Sequence, residues 1–283
     1  MAHDEAPPTA ADTPGSSLAE DARLAYATLI AYSRANTTWC RRGSFEDAGG
    51  VLTFAGGSWL PVNCNGAFPT NDTVSAEEVI ARADQFFARR KRGYTIKIRD
   101  TGQDAKLEAL CQEKGLVLFG DPFPEMICRS PFPDVASPDG VDIRLVTDEA
   151  GVADFGAVNA DAYAVYGMPP EVFTDSFDEP AHALADENLA MLVAYQGATP
   201  VAAALTYLSD GIASLQWVGT VAASRQLGLG KVITQAITNV AFERGAASVT
   251  LQASEMGEPV YLKLGYETLY RYVNYCRWEA PTI

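Results

Sequence analysis

An arginine followed by two closely spaced glycines is the first group in this chain whose types and spacing suggest chemistry. Arg225-Gln-Leu-Gly-Leu-Gly230 lies between an apolar run ending at Val221 and an amphipathic stretch over 229–244. Glycines there let backbone amides approach a ligand without side-chain obstruction, and a helix start adds positive potential, so the segment suits an anion. A Walker loop requires glycine at 225 and Ser or Thr at 232, where the chain has Arg225 and Val232. A dinucleotide fingerprint requires glycine at 233, where Ile233 stands. For Gly228 and Gly230 alone, an ordinary strand-to-helix turn is the plainer reading. A second group follows 31 residues after Gly230: Tyr261-Leu-Lys-Leu-Gly265-Tyr266. The two histidines, His3 and His182, exclude most His-rich metal sites, and His182 reads as a surface residue of a polar helix.

The two groups occur in an order that resembles the GNAT acetyltransferase superfamily. R-x-x-G-x-G after a strand and before a helix is similar to its acyl-CoA pyrophosphate loop. Val218-Gly-Thr-Val-Ala-Ala-Ser224 suits its entry strand, with Ala222 where proline is common. The family's later pattern, close to N-x-x-A-x-x-h-Y-x-K-x-G-F, is matched at Tyr261, Lys263, Gly265 and Tyr266, with Ser254 in place of asparagine and Gly257 in place of alanine. The resemblance covers about residues 140–280.

It implies an α/β (α+β) fold with a mixed, mostly antiparallel twisted sheet flanked by helices, and acetyl-CoA as co-substrate without a metal. The amides of Gln226, Leu227, Gly228, Leu229, Gly230 and Lys231 are then expected to hold the pyrophosphate, with Arg225 supporting the loop. Val218, Gly219 and Val221 are expected to pair with the pantetheine, and Ser254 to border it. An amine attacks the thioester directly, and Tyr261 occupies the position of the general acid. Packing of that ring on the sheet is its competing role. Many relatives carry a glutamate on the strand equivalent to 212–221, but Ile-Ala-Ser-Leu-Gln-Trp-Val-Gly-Thr-Val has no carboxylate. Gln216 can position a water but cannot accept a proton at neutral pH. Glu255, just after the next strand, is the nearest acidic candidate, and the base is otherwise unassigned. For both Gln216 and Glu255 an ordinary polar surface role competes. The alternative from another class is a non-catalytic acyl-CoA-binding or interaction protein, which shares the loop and accounts for the missing carboxylate.

The elements that must position these groups follow from pattern. Residues 1–18 are rich in Ala, Pro, Thr, Ser and Asp and read as a disordered tail. Helical spacing covers Leu18–Arg34 and, from the capping pair Ser75 and Glu78, the stretch to Arg92. Val51–Phe54, Leu60–Cys64, Tyr94–Arg99 and Pro124–Arg129 read as strands, and 104–113 as a helix. The run 131–140 reads as a linker, after which the pattern restarts with strand Val141–Val146 and helix Glu149–Tyr166. Asn188–Ser209 carries no charge, but the turn cluster Gln196-Gly-Ala-Thr-Pro200 makes it a hairpin rather than a membrane span. Strand 212–221, helix 229–244, strand 248–253, a short helix at 259–264 and strand 272–278 complete the reading.

The two stretches echo each other. Arg-Gly at Gly93 and Gly245 is followed by a Lys-region glycine 22 and 20 residues on, at Gly115 and Gly265, and by Cys128 and Cys276 a further 13 and 11 on. This predicts a diverged duplication, with a GNAT-like domain over 19–130 and a second over 141–283. Between Phe68 and Ser75 the first copy has Pro-Thr-Asn-Asp-Thr-Val, with no glycine loop, and Cys111 falls where Tyr261 lies in the second. The first copy is therefore expected to be silent and to wall the acceptor cleft or complete a core. Arg89-Arg-Lys-Arg92 reads as cations complementing a helix dipole, with a phosphate or partner site as second choice.

The chain has 283 residues, 48% hydrophobic, with a net charge of −15. That charge disfavours nucleic acid and anionic membrane as partners. Of it, −10 lies in 140–283, which favours a cationic small-molecule or peptide amine as acceptor. Five scattered cysteines without a C-x-x-C pair, and no signal-peptide pattern, point to the cytoplasm. Oligomeric state has no sequence signal.

Overall fold

The computed structural model describes residues 18–133 and 135–282, so the predicted tail up to Ser17 lies outside the described residues. The first half runs α1 (Leu18–Asn36), β1 (Ser44–Ala48), β2 (Val51–Ala55), α2 (Pro61–Cys64), β3 (Asn65–Pro69), α3 (Ala76–Arg90), β4 (Tyr94–Arg99), α4 (Ala105–Glu113) and β5 (Val117–Cys128). The second runs β6 (Val141–Leu145), α5 (Glu149–Tyr163), α6 (Glu171–Ser176), α7 (Pro180–Ala185), β7 (Leu189–Gln196), β8 (Thr199–Ser209), β9 (Ile212–Thr220), α8 (Leu229–Glu243), β10 (Ser248–Gln252), α9 (Glu258–Leu264) and β11 (Glu267–Arg277). The strands form a single sheet in the order β1-β2-β3-β4-β11-β5-β10-β9-β8-β7-β6.

The same pairing scheme occurs twice in that order. β2 and β3 are antiparallel and β3 and β4 parallel. Likewise β8 and β9 are antiparallel and β9 and β10 parallel. Each half's last strand has then crossed to the other. β5 pairs antiparallel with β10, from Cys128↔Val249 to Glu125↔Gln252. β11 pairs antiparallel with β4, from Tyr272↔Arg99 to Arg277↔Tyr94. The two exchanged strands also pair with each other, with two register shifts. The exchange covers the backbone edges that β4 and β10 would otherwise present to other chains.

Strand alternation sorts side chains onto two faces. On one, Ile96, Met126, Leu215 and Leu251 meet α3, α4, α8 and α9 in two separate cores. On the other, Tyr26, Leu29 and Ile30 of α1 join Phe155 and Val158 of α5 in one core that spans both halves. We call this the α1 face.

Most predicted elements are present, including the hairpin β7–β8 and the Ser75 cap, whose hydroxyl accepts from the Glu78 amide at 3.2 Å. Leu60–Cys64 is not a strand. Pro61 offers no N–H for a ladder, Asn63 is left-handed at φ 64°, and the sheet is joined only at Asn65. β1 escaped prediction because it is an edge strand with four of five residues exposed. Of the basic run, Arg92 donates to the Gly56 and Ser58 carbonyls at 2.7 and 3.2 Å, Arg90 to Ser44, and Arg89 to Glu46. Those cations hold the 56–65 segment and β1 in place.

Candidate active site

The parallel pair β9–β10 opens partway along. β10 stays in register only to Leu215↔Leu251, whereas β9 continues against β8 to Thr220↔Ala202. From Gln216 to Thr220 one backbone edge of β9 therefore faces a gap. A bulge sets the split: opposite Ala203–Leu205 the β9 strand carries an extra residue, and Trp217 is left-handed at φ 52°. Surrounding groups hold that conformation. The Trp217 indole donates to the Tyr32 hydroxyl of α1 at 2.7 Å, and Tyr163 and Phe173 stand edge-on at 5.4 and 5.1 Å. Tyr163 donates to the Val218 carbonyl at 3.3 Å. Gly219 lets α5 come close, since a Cβ there would lie 2.7 Å from Asn159 Oδ1 and 2.9 Å from the Ala162 methyl.

The chain leaves the bulge through Val221 and a single 3-10 turn, Ala222–Ser224. The end of α5 pins this exit: Asp161 accepts from the Ala222 amide, and Arg225 donates to the Ala162 carbonyl at 2.9 Å. Arg225 thus supports the loop. Gln226 and Gly228 are both left-handed, at φ 64° and 79°, which turns the backbone into α8. No side chain caps α8, no acidic residue lies in its first turn, and its first internal bond runs from the Val232 amide to Gly228 at 3.1 Å. Among the described residues the amides of Gln226, Gly228, Leu229, Gly230 and Lys231 have no acceptor, and that of Leu227 closes the turn over Arg225 and Gln226. A Cβ at Gly228 would meet nothing within 4 Å, and one at Gly230 only Thr220 Oγ1 at 3.6 Å.

The corresponding place in the first half is closed. α3 is capped by Ser75, carries Glu77 and Glu78 in its first turn, and is preceded by an Asn71 side chain that accepts from the Thr73 and Val74 amides. β3 and β4 pair only at Gly66↔Thr95 and Ala67↔Ile96. At the ends of these strands Tyr26 of α1 donates to the Pro69 carbonyl at 3.1 Å, with the Arg99 guanidinium 3.9 Å over its ring. Arg99 in turn is bound by Asp104 at 2.6 and 2.8 Å. Beside this pairing a cavity of about 10 Å³ is left, about the space of one water.

Across the open gap lies α9. Ser254 opens the turn before it, accepting the Gly257 amide on Oγ at 3.2 Å, and also receives the Tyr166 hydroxyl at 3.0 Å. Tyr166, 47% exposed, so spans from the α5 side to the β10 side of the opening. Tyr261 is buried, its ring 5.8 Å from that of Tyr266, and burial raises its phenol above the ordinary range, with Tyr166 adding to the shift. A Cβ on Gly257 would sit 2.9 Å from the Tyr261 ring, so glycine there gives the ring its room. Gln216 donates to Ser214 Oγ at 2.7 Å. Glu255 is exposed in the turn after β10 and has no hydrogen bond among the described residues. Neither Tyr32 nor Tyr166 was legible as part of a site, because each acts through a partner distant in sequence.

Elsewhere, a surface cavity of about 430 Å³ lies at the opposite end of the strands, where Arg244 donates to the Leu189 carbonyl at 2.7 Å. Among the described residues no group of three or more His, Cys, Asp or Glu side chains is placed to hold a metal ion, and no helix is long and apolar enough to cross a membrane.

Residues 135–257 match the family described as an acetyltransferase (GNAT) domain. An uncharacterized N-acetyltransferase of Bacillus subtilis (strain 168), YjcF, is 31% identical over 102 residues, which span 35% of this chain and 73% of that protein. A GCN5-related N-acetyltransferase from Kribbella flavida superposes with a TM-score of 0.64 at 19% identity, covering 96% of this chain and 98% of its own. A tandem GNAT protein from the clavulanic acid biosynthesis pathway, solved without acetyl-CoA, gives 0.58 at 14% identity, covering 94% and 98%. Both structural likenesses extend over the two halves and concern the fold.

Proposed function

The chain belongs to the GNAT acetyltransferase superfamily as an acyltransferase, and from that premise we propose that its second half transfers acetyl from acetyl-CoA to a primary amine. The observation that carries the reading is the uncapped start of α8 beside the open edge of β9. Five amides without acceptors at the positive end of a helix suit a pyrophosphate. The edge from Val218 to Val221 offers backbone groups to the amides of a pantetheine arm, as a strand would. Acetyl carbon then lies near the bulge, with Ser254 bordering the arm. The amine attacks the thioester carbonyl, the C–S bond breaks, and the Tyr261 phenol gives the departing sulfur its proton; the high pKa direction keeps that proton in place until the thiolate forms. We read the first half as a diverged copy that has lost this cleft and walls the acceptor side, where its 56–65 segment meets α6: a Cβ on Gly57 would lie 1.8 Å from the Asp175 carbonyl. The acidity of the second half favours a cationic acceptor, and five free, buried cysteines support a reducing compartment, the cytoplasm.

A non-catalytic acyl-CoA binder is the second reading, favoured by the absence of a carboxylate on β9. Acetyl-CoA titration and CoA release over a panel of amines separate the two. Gly230→Glu places a carboxylate at the pyrophosphate and is expected to weaken acetyl-CoA binding at least tenfold. Tyr261→Phe is expected to lower kcat about 10- to 100-fold with the KM for acetyl-CoA little changed. Binding unaffected by Gly230→Glu overturns the site, and tight binding without turnover on any amine favours the second reading.

A further inference from the structure

The α1 face beneath the cleft carries a group that the local sequence of the second half does not contain. Glu125 comes from β5, the exchanged strand of the first half, and stands in register with Gln252 of β10. Its Oε2 accepts from Gln252 Nε2 at 2.7 Å, while Oε1 is buried with no partner among the described residues. Gln252 is itself partly exposed and is the last residue of β10, next to the point where β9 and β10 part. The alternation that turns Leu215, Leu251 and Met126 to the opposite face places Gln216, Gln252 and Glu125 together on the α1 face. Strand spacing of about 4.8 Å sets Glu125 one strand beyond Gln252, the residue that borders the gap.

Side chains around it are arranged for a charge that changes. Lys97 of β4 lies nearby and donates to Asn274 Oδ1 at 3.4 Å, and Asn274 Nδ2 is also buried without a partner. Tyr270 stands in register opposite Glu125, its hydroxyl 2.7 Å from that of Tyr272. Arg99 and Tyr26 complete the polar surroundings further along the same face, already committed to Asp104 and Pro69. Burial pushes the Glu125 carboxyl up to about 8, with Gln252, Thr250 and Lys97 pulling the other way, and pushes Lys97 down to about 8. The two tyrosines are raised by burial and stay neutral, so Lys97 is the charge that acts on Glu125. A fully buried carboxyl with one unmatched oxygen costs stability, which Gln252 and Thr250 offset only in part.

We propose that Glu125, carried into the second half's sheet by β5, is the proton acceptor for the incoming amine. The assignment rests on the acetyl-transfer reading above. An ammonium acceptor loses one proton to the Glu125 carboxylate through an intervening water, and its freed nitrogen pair forms the N–C bond to the thioester carbonyl. As the C–S bond breaks, the second proton on that nitrogen leaves to solvent, and the sulfur takes its proton from Tyr261. Acetyl-CoA and the ammonium thus give the amide, CoA thiol and one proton, Tyr261 being recharged from Glu125 or solvent.

Steady-state kinetics against pH on the full chain test this, with an accepted amine at saturation and CoA release as the readout. In the wild type kcat is expected to rise with pH through a limb near 8, at the same pH for two amines of different basicity. Glu125→Gln is expected to lower kcat by about 100-fold or more and abolish the limb, with acetyl-CoA affinity within about threefold of wild type. Glu125→Asp retains the limb at reduced kcat. Should Glu125→Gln fail to fold, Lys97→Met serves instead: losing the cation raises the carboxyl, so the limb moves up. A wild-type limb below about pH 6, a limb that follows the amine, or one unmoved in Lys97→Met overturns the assignment. So does a Glu125→Gln enzyme within about threefold of wild-type kcat, or loss of the limb in Glu255→Gln instead. No CoA release by the wild type on any amine overturns acetyl transfer itself, and the proton acceptor with it.

Discussion

Tyr32 and Trp217 lie on different halves, yet a hydrogen bond between them helps hold the backbone of the candidate site. A non-glycine residue in the left-handed region costs about 1–3 kcal/mol and persists only where its surroundings hold it. Here the hydroxyl of Tyr32 accepts the indole N–H, and two aromatic rings close around the indole. Tyr32→Phe leaves that donor unmatched. It is expected to destabilise the fold by about 1–3 kcal/mol in denaturant melts, and to raise the KM for acetyl-CoA several-fold by loosening the bulge. In sequence Trp217 is one more aromatic in a strand, since neither its φ nor its partner leaves a local trace. Glu125 was hidden for the same reason. Its neighbour Gln252 is brought to it only by the sheet.

Two helices of equal length, α3 and α8, show how element-scale features separate a closed helix start from an open one. α3 has its first amides answered by its own cap and its first turn filled with carboxylates; α8 has neither. These differences were written in Ser75-Ala-Glu-Glu and Gly228-Leu-Gly230, and sequence alone distinguished them because capping is decided within four residues. α2 and β1 were not legible, because a proline-started turn and a mostly exposed edge strand carry little hydrophobic period. Packing between elements adds a further test. Gly219 brings β9 against α5, so Gly219→Ala is expected to cost about 1–3 kcal/mol by overpacking. The same change is expected to weaken acetyl-CoA binding in calorimetry, since displacement of β9 moves the open edge.

At the scale of the whole molecule, the halves share one sheet and one of its cores. The expected consequence is a single cooperative thermal transition for the full chain, with coincident calorimetric and van't Hoff enthalpies. A fragment of residues 141–283 alone lacks β5 beside β10 and β4 beside β11, so it is expected to be insoluble or molten by near-UV dichroism. A separately folded fragment with native dichroism would contradict that. The matched spacing before Cys128 and Cys276 was the sequence trace of two equivalent last strands, but nothing local said that they trade places. Strand partnership is a property of the assembled sheet, and hydrophobic pattern records only which face is buried.

The position of β11 also imposes an order in time. It is the last strand along the chain, yet it lies between β4 and β5 in the middle of the sheet. While a ribosome adds the intervening residues, at about 5–20 per second, β4 waits with its edge unpaired for roughly ten to forty seconds. Every native contact of that edge is long-range in sequence, which makes its closure slow compared with local hairpins such as β7–β8. The first half, made earliest, is thus finished last, and exposure during synthesis falls on the half that carries no cleft of its own.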